Sequence, residues 1–180
     1  MQNKIIPNKI VAIDLAQCER VARDRGHPYF PVEALRKMIE GDDVNVVETL
    51  VTLVERVADD NPEAIASNQQ NFMRKQHALQ EAGARVIRAP AKRLPDGSFK
   101  QSDDQRLIIA TLSLALRLRP DFVVLAAGDG DFAPMVEELR HEGIRTEVLA
   151  CPEILASDLR RVAYSVIDLN QVLDTIGGAH

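Results

Sequence analysis

The sequence contains no tryptophan, and only 4% of its residues are aromatic. That scarcity leaves little capacity for the aromatic stacking by which many proteins hold single-stranded nucleic acid. Cysteine is nearly as rare. Cys18 and Cys151 lie far apart, and neither has a partner in a C-x-x-C or C-x-x-H pattern, so neither a disulfide framework nor a zinc site is indicated. Two isolated thiols are expected to be reduced, which suits a cytoplasmic location. Long hydrophobic runs are missing as well. In "MQNKIIPNKIVAIDLAQ" the apolar stretch is broken by Pro7, Lys9 and Asp14, and no later run approaches the ~20 apolar residues that a bilayer requires, so no membrane partner is expected. Nor is there an excess of positive charge. The chain carries 22 Lys and Arg against 27 Asp and Glu, a net −5, which argues against a general electrostatic affinity for nucleic acid.

What is present points to an ordinary globular chain. With 180 residues, 46% apolar and 27% charged, the sequence can build a substantial core, and a single domain over residues 1–180 is the expectation. Charge is unevenly spread. Residues 85 to 106 carry Arg85, Arg88, Lys92, Arg93, Lys100 and Arg106 against three aspartates, a local +3, whereas residues 107 to 180 carry six cations against eleven anions. The plain reading of the basic segment is a solvated loop; the alternative is a phosphate-binding patch beside an acidic pair.

Short β-rich runs alternate with helical patterns. "KIVAID" (9–14) reads as a strand, and "PVEALRKMIEG" (31–41) as a short helix opened by Pro and closed by Gly. "VNVVETLVTLVERV" (44–57) predicts a strand from its Val and Thr content, although its Leu, Val and Glu spacing fits a helix almost as well. "SNQQNFMRKQHALQEAG" (67–83) predicts a helix capped by Ser67 or Asn68 and stopped by Gly83, followed by the strand "ARVIRAP" and a "PDG" turn at 95–97. The clearest helix is "SDDQRLIIATLSLALRLRP" (102–120), with acidic residues in its first turn, arginines in its last, and Pro120 beyond. "DFVVLAAG", "IRTEVLA" and "YSVIDL" predict strands, separated by helices over "DFAPMVEELRHEG" and "SDLRRVA". Such alternation predicts an α/β fold, with a mostly parallel sheet between two helical layers.

In such folds ligands gather at the carboxyl ends of the strands. Asp14 closes the first strand, Asp103 and Asp104 open the long helix, and Asp129 and Asp131 follow the strand "DFVVLAA", so one sheet edge can collect all five. Grouped carboxylates raise each other's pKa unless a cation compensates, and a site made of carboxylates alone suits Mg²⁺ or Mn²⁺ better than zinc or copper. The bland alternatives are helix caps: Asp103 and Asp104 for the long helix, Asp131 for the helix that follows it. Asp14, at the end of an apolar strand, is harder to dismiss, because an unpaired buried carboxylate is costly. His27, His77, His141 and His180 fall on predicted loops, helix surfaces or the terminus, and read as solvated or structural.

Taken in order, "VAIDLAQ", "KQSDDQRLIIATL", "DFVVLAAGDGDFAPMVEELRHEGIRTEVL" and "SDLRRVAYSVIDL" resemble the successive signatures of the NYN domain, a PIN-like ribonuclease family, over residues of about 9 to 169. The G-D-x-D-F-x-P block is the most specific of these, and the paired Asp103 and Asp104 resemble the double aspartate of the zinc-finger-associated NYN endoribonucleases. The resemblance implies a PIN-like α/β/α sandwich, an Mg²⁺ or Mn²⁺ site built from Asp14, Asp103, Asp104 and Asp129, and hydrolysis of single-stranded RNA. Two departures stand out. Gln17 occupies a position where the family often has Asn, and Ile108, Ile109 and Ala110 stand where some members carry a further Asp.

On this reading Asp14 and Asp129 hold the metal, while Asp103 and Asp104 bind a second ion or orient the attacking water. Asp131 completes the candidate catalytic set, either ligating through water or capping a helix and steadying Asp129. Gly128 and Gly130 fit a close approach of backbone to phosphate. Lys92, Arg93, Lys100 and Arg106 are candidate phosphate contacts, and Gln17 is a further candidate RNA contact. Tyr29, Phe30 and Phe99 could stack bases, with core packing the stronger reading for the two phenylalanines. A homodimer is an open possibility. Three alternatives stand beside the nuclease: a weakly active or inactive RNA-binding NYN module, a Toprim-type Mg²⁺ nuclease, which calls for Glu where Asp14 stands, and an aspartyl-phosphate phosphohydrolase, which calls for D-x-D where the chain reads "DLA".

Overall fold

The computed structural model describes residues 6–41, 43–56, 61–94, 96, 99–100 and 102–177, with Arg56, Lys92, Arg93, Phe99 and Lys100 described by backbone alone. Seven strands form one sheet: β1 (Asn8–Ile13), β2 (Asn45–Arg56), β3 (Arg85–Arg93), β4 (Phe99–Lys100), β5 (Phe122–Ala126), β6 (Arg145–Ala150) and β7 (Ser165–Asp168), in the order β4-β3-β2-β1-β5-β6-β7. All neighbours run parallel except the short β4, which pairs antiparallel with β3. The apolar runs of β1 and β5 follow from this arrangement: a parallel strand is covered on both faces, so Ile10 to Ile13 and Val123 to Ala126 are almost wholly buried.

Among the described residues seven helices supply the cover: α1 (Leu15–Asp24), α2 (Val32–Glu40), α3 (Pro62–Glu81), α4 (Asp103–Leu118), α5 (Ala133–His141), α6 (Ser157–Val162) and α7 (Leu169–Gly177). Alternation along each strand sorts the core into two layers. Val11, Ile13, Val51, Leu53 and Val124 pack with α1, α2, α7 and Phe72 of α3. Ile10, Ala12, Leu50, Val123 and Leu125 pack with α4, α5 and α6.

The expected parallel α/β sandwich is the observed one, and the ambiguous 44–57 stretch is strand β2. Other boundaries differ. The helix expected from Ser67 begins at Pro62, because Asn61 supplies the cap, its side-chain oxygen accepting the Glu63 N–H at 3.0 Å. Helices α1 and α7 were not anticipated. The strand expected to reach Gly128 ends at Ala126, and Asp131 sits in a 3-10 turn (Gly130–Phe132) ahead of α5, whose own first turn has no side-chain cap. Pro95 and Gly97 of the expected "PDG" turn lie outside the described residues.

Candidate metal centre

The chain leaves β1 toward β2 on one side and leaves β5 toward β6 on the other. Between neighbouring strands whose connections diverge, a crevice opens at their carboxyl ends. Asp14 is the first residue past β1, and Asp129 follows β5 in the turn that leads to α5. Helix α4, crossing back from the β3 side, starts there with Asp103 and Asp104 in its first turn. Topology thus carries three distant segments to one place.

One carboxylate oxygen from each of Asp14, Asp103 and Asp104 lies within 4.8 Å of the others. Asp14 and Asp103 are each only 6% exposed. Asp14 serves partly as the cap of α1, its Oδ1 accepting the Gln17 N–H at 3.2 Å. Burial nonetheless raises its pKa. The Gln17 N–H opposes that rise, nearby Asp103 adds to it, and the Ala16 N–H and the Arg20 charge oppose it more weakly. The Asp104 carboxyl is pushed up to about 7, first by burial and then by the charges of Asp14, Asp103, Asp129 and Asp131. Those last two therefore face the same cluster. Asp129 and Asp131 are exposed, and Asp129 Oδ1 accepts the Asp131 N–H at 3.1 Å. Asp131 is expected to cap α5 but does not: α5 has no side-chain cap, and the cap made here is that of Asp129 on the 3-10 turn.

The turn bearing Asp129 is held from two sides. Gln17 Oε1 accepts the Gly128 N–H, and the Gly128 carbonyl accepts the Ala156 N–H at 2.8 Å. A Cβ on Gly128 would stand 3.0 Å from the Ile154 carbonyl oxygen, and one on Gly130 3.4 Å from the Ala156 methyl. The close approach these glycines permit is to the chain's own loop after β6, a contact invisible in the local sequence. Across the crevice, Thr52 Oγ1 donates to the Ile13 carbonyl at 3.4 Å, tying β2 to the end of β1.

The remaining candidates divide. Arg106 is exposed in the first turn of α4. The backbones of Lys92 and Arg93 pair with those of Lys100 and Phe99, and all four side chains lie outside the described residues. Tyr29 is 67% exposed, whereas Phe30, at 4%, is core. His77 and His141 are exposed in helical ion pairs, and the His27 ring packs against Gly177. His180 lies outside the described residues. Two participants went unanticipated: Arg20, whose charge acts on Asp14, and the bond by which Gln17 holds Gly128. Recognising α1, with Leu15, Cys18 and Ala22 on its buried stripe, would have placed both beside Asp14.

The donor set is one of hard oxygens. Among the described residues no His or Cys joins the Asp14, Asp103 and Asp104 group, and the mutual pKa elevation is what an added dication would relieve, so the residues fit Mg²⁺ or Mn²⁺.

Among the described residues no helix is long and apolar enough to cross a membrane. A search of curated proteins returned no match. Among solved structures, a crystal structure of a protein of unknown function from Vibrio parahaemolyticus matches with a TM-score of 0.68 at 21% identity, over 93% of this chain and 95% of that one, which shows a shared fold. The sequence model of the NYN domain, a PIN-like family whose members are generally nucleases, matches residues 9–170. Sequence, topology and the carboxylate cluster agree, and the chain belongs to the NYN domain family.

Proposed function

We propose that the chain is a metal-dependent ribonuclease that hydrolyses phosphodiester bonds in single-stranded RNA. The observation that carries this reading is the meeting of Asp14, Asp103 and Asp104 oxygens within 4.8 Å, inside a fold whose family is generally nucleolytic. Asp14 and Asp129, at the ends of neighbouring strands, hold Mg²⁺ or Mn²⁺; Asp103 and Asp104 hold a second ion or orient the attacking water. Such an ion, when bound, lowers the pKa of water and neutralises charge developing on the phosphoryl oxygens. Asp104, whose carboxyl is pushed up to about 7 in the metal-free chain by burial and by its carboxylate neighbours, would be returned to its charged form by such an ion. The bond from Gly128 to Gln17 orients the Asp129 turn, and Arg106, with Lys92, Arg93 and Lys100, supplies phosphate contacts that position RNA without reading it.

The test is incubation of the pure protein with end-labelled single-stranded RNA in Mg²⁺, Mn²⁺ or EDTA, alongside Asp104→Asn. Asn preserves the shape of Asp while removing its charge. Cleavage should require the metal and fall on the order of 10²-fold or more in the variant, while RNA affinity in EDTA changes little. Wild-type protein that binds RNA yet shows no metal-dependent cleavage would establish a binding module instead.

A further inference from the structure

A groove of about 610 Å³ runs between α1 and α3 over the end of β2, and Arg88 of β3 lies over the ring of Phe72 in its lining. It starts at Leu15 and Ala16, the residues immediately after Asp14, and Thr52 in its floor is bonded to the Ile13 carbonyl, so it adjoins the candidate metal centre. Its polar walls are chiefly cationic and amide. Arg23 rises from α1, Arg74 and Lys75 from α3, with Asn71 and Asn68 one and two turns earlier. The one carboxylate in the lining, Glu19, is already engaged by Lys75 at 2.7 and 2.8 Å. Among the described residues neither Arg23 nor Arg74 has an anionic partner, and both are exposed. Beyond the Glu19–Lys75 pair lies a second hollow of about 400 Å³, which shares Leu15, Glu19 and Lys75 with the first and has Tyr29 on its rim.

Helix α3 makes the same point from its sequence. Of its 20 residues only Phe72 is buried, and the whole polar stretch "SNQQN" is exposed. Amides and unpaired arginines lining a groove complement a chain of phosphates and sugars, and an exposed tyrosine complements the face of a base. We infer that the α1–α3 groove is the track by which a single-stranded polynucleotide reaches the carboxylate cluster, Arg23 and Arg74 contacting its phosphates and Tyr29 stacking on a base farther along. The inference rests on the nuclease reading for what lies at the end of the track, but its test does not require cleavage.

Affinity for a fluorescein-labelled oligouridylate is measured by anisotropy in EDTA across a salt series. Arg23→Ala with Arg74→Ala should weaken binding about tenfold and reduce the slope of log K against log salt by about 1.4, at roughly 0.7 per single-strand phosphate contact. Tyr29→Ala should weaken binding about fivefold with the slope unchanged, as loss of a stacking surface does. A charge-matched pair at the far ends of α4 and α5, Arg117→Ala with Arg140→Ala, should stay within about twofold of wild type, since neither residue faces the groove. Wild-type affinity in the Arg23/Arg74 variant, or an equal loss in the Arg117/Arg140 variant, overturns the track and leaves the nuclease reading standing. The expected losses in a protein that shows no metal-dependent cleavage keep the track and remove the nuclease.

Discussion

The two ends of the sheet treat charge in opposite ways. At the amino-terminal ends of the strands, Lys9 and Glu147 meet at 2.5 Å with both side chains largely buried, and Arg119 meets Glu142. Asp121 accepts the Asn8 N–H at 2.8 Å, and Lys9 and Arg145 lie over the faces of Phe122 and Tyr164. At the carboxyl ends, Asp14, Asp103 and Asp104 bring oxygens within 4.8 Å of one another and the charges of Asp129 and Asp131 act on Asp104, and among the described residues none of the five has an ion-pair partner. One sheet, with one set of strands, has solved its electrostatics at one end and left them unsolved at the other. Unrelieved repulsion in an otherwise consistent fold marks a candidate functional site.

The contrast can be broken most decisively by removing one negative charge at each end. Asp104→Asn relieves repulsion, so metal-free protein should melt at the same temperature or higher, while RNA cleavage falls on the order of 10²-fold or more. Glu147→Gln leaves the buried Lys9 ammonium without its counter-charge, so it should cost about 1–3 kcal/mol in denaturant unfolding and leave cleavage near wild type. If both variants shift stability in the same direction, the two ends are not electrostatically distinct.

Metal sharpens the contrast next. A ligand that binds only the native state adds about 2.7 kcal/mol at a hundredfold excess over its dissociation constant, or roughly 5–10 °C in a domain of this size. Mn²⁺ should therefore raise the melting temperature of wild type and of Glu147→Gln alike, and raise that of Asp104→Asn by less. Scanning fluorimetry reads all three, and an equal shift in Asp104→Asn would place the ion elsewhere.

Smaller still is the pH response. Asp104 titrates near 7 in the folded, metal-free chain and near the ordinary carboxylate value when unfolded, and Asp14 is raised in the same direction. Between those values the native state binds the extra proton, so stability should rise as pH falls from about 8 to about 6, and Asp104→Asn should flatten the trend. The metal-induced shift should shrink over the same interval, because protons and metal compete for the carboxylates. At the bottom of the scale, Lys37→Gln, which breaks only the surface pair with Glu33, should leave the melting temperature within about 1 °C of wild type.

Much of the fold was legible because parallel strands announce themselves: "KIVAI" and "FVVLA" are buried on both faces and therefore apolar throughout. The meeting of Asp14, Asp103 and Asp104 followed from where strands end and helices begin, a property of connectivity rather than of side-chain packing. What stayed hidden had two causes. Helices α1 and α7 carried their signals, Leu15, Cys18 and Ala22 in one and Leu169, Val172 and Leu173 in the other, but each follows a strand so closely that the apolar run masks the change of period. The partners of Gly128 were hidden for a different reason: Ile154, Ala156 and Gln17 come from distant parts of the chain, and no local pattern encodes their meeting. The groove between α1 and α3 was out of reach for the same reason, since it needs two helices of which one was unseen and the other was started too late.

Gln17 and Gly128, which clamp the aspartate turn, are 111 residues apart in the chain. Asp14 is synthesised well before β5, the strand its own strand must pair with, and contacts of such long range form late. Until then the aspartates belong to separate, unassembled segments with no shared ion site. On the ribonuclease reading proposed above, this order of assembly withholds activity from the growing chain until the strands that carry the aspartates have paired.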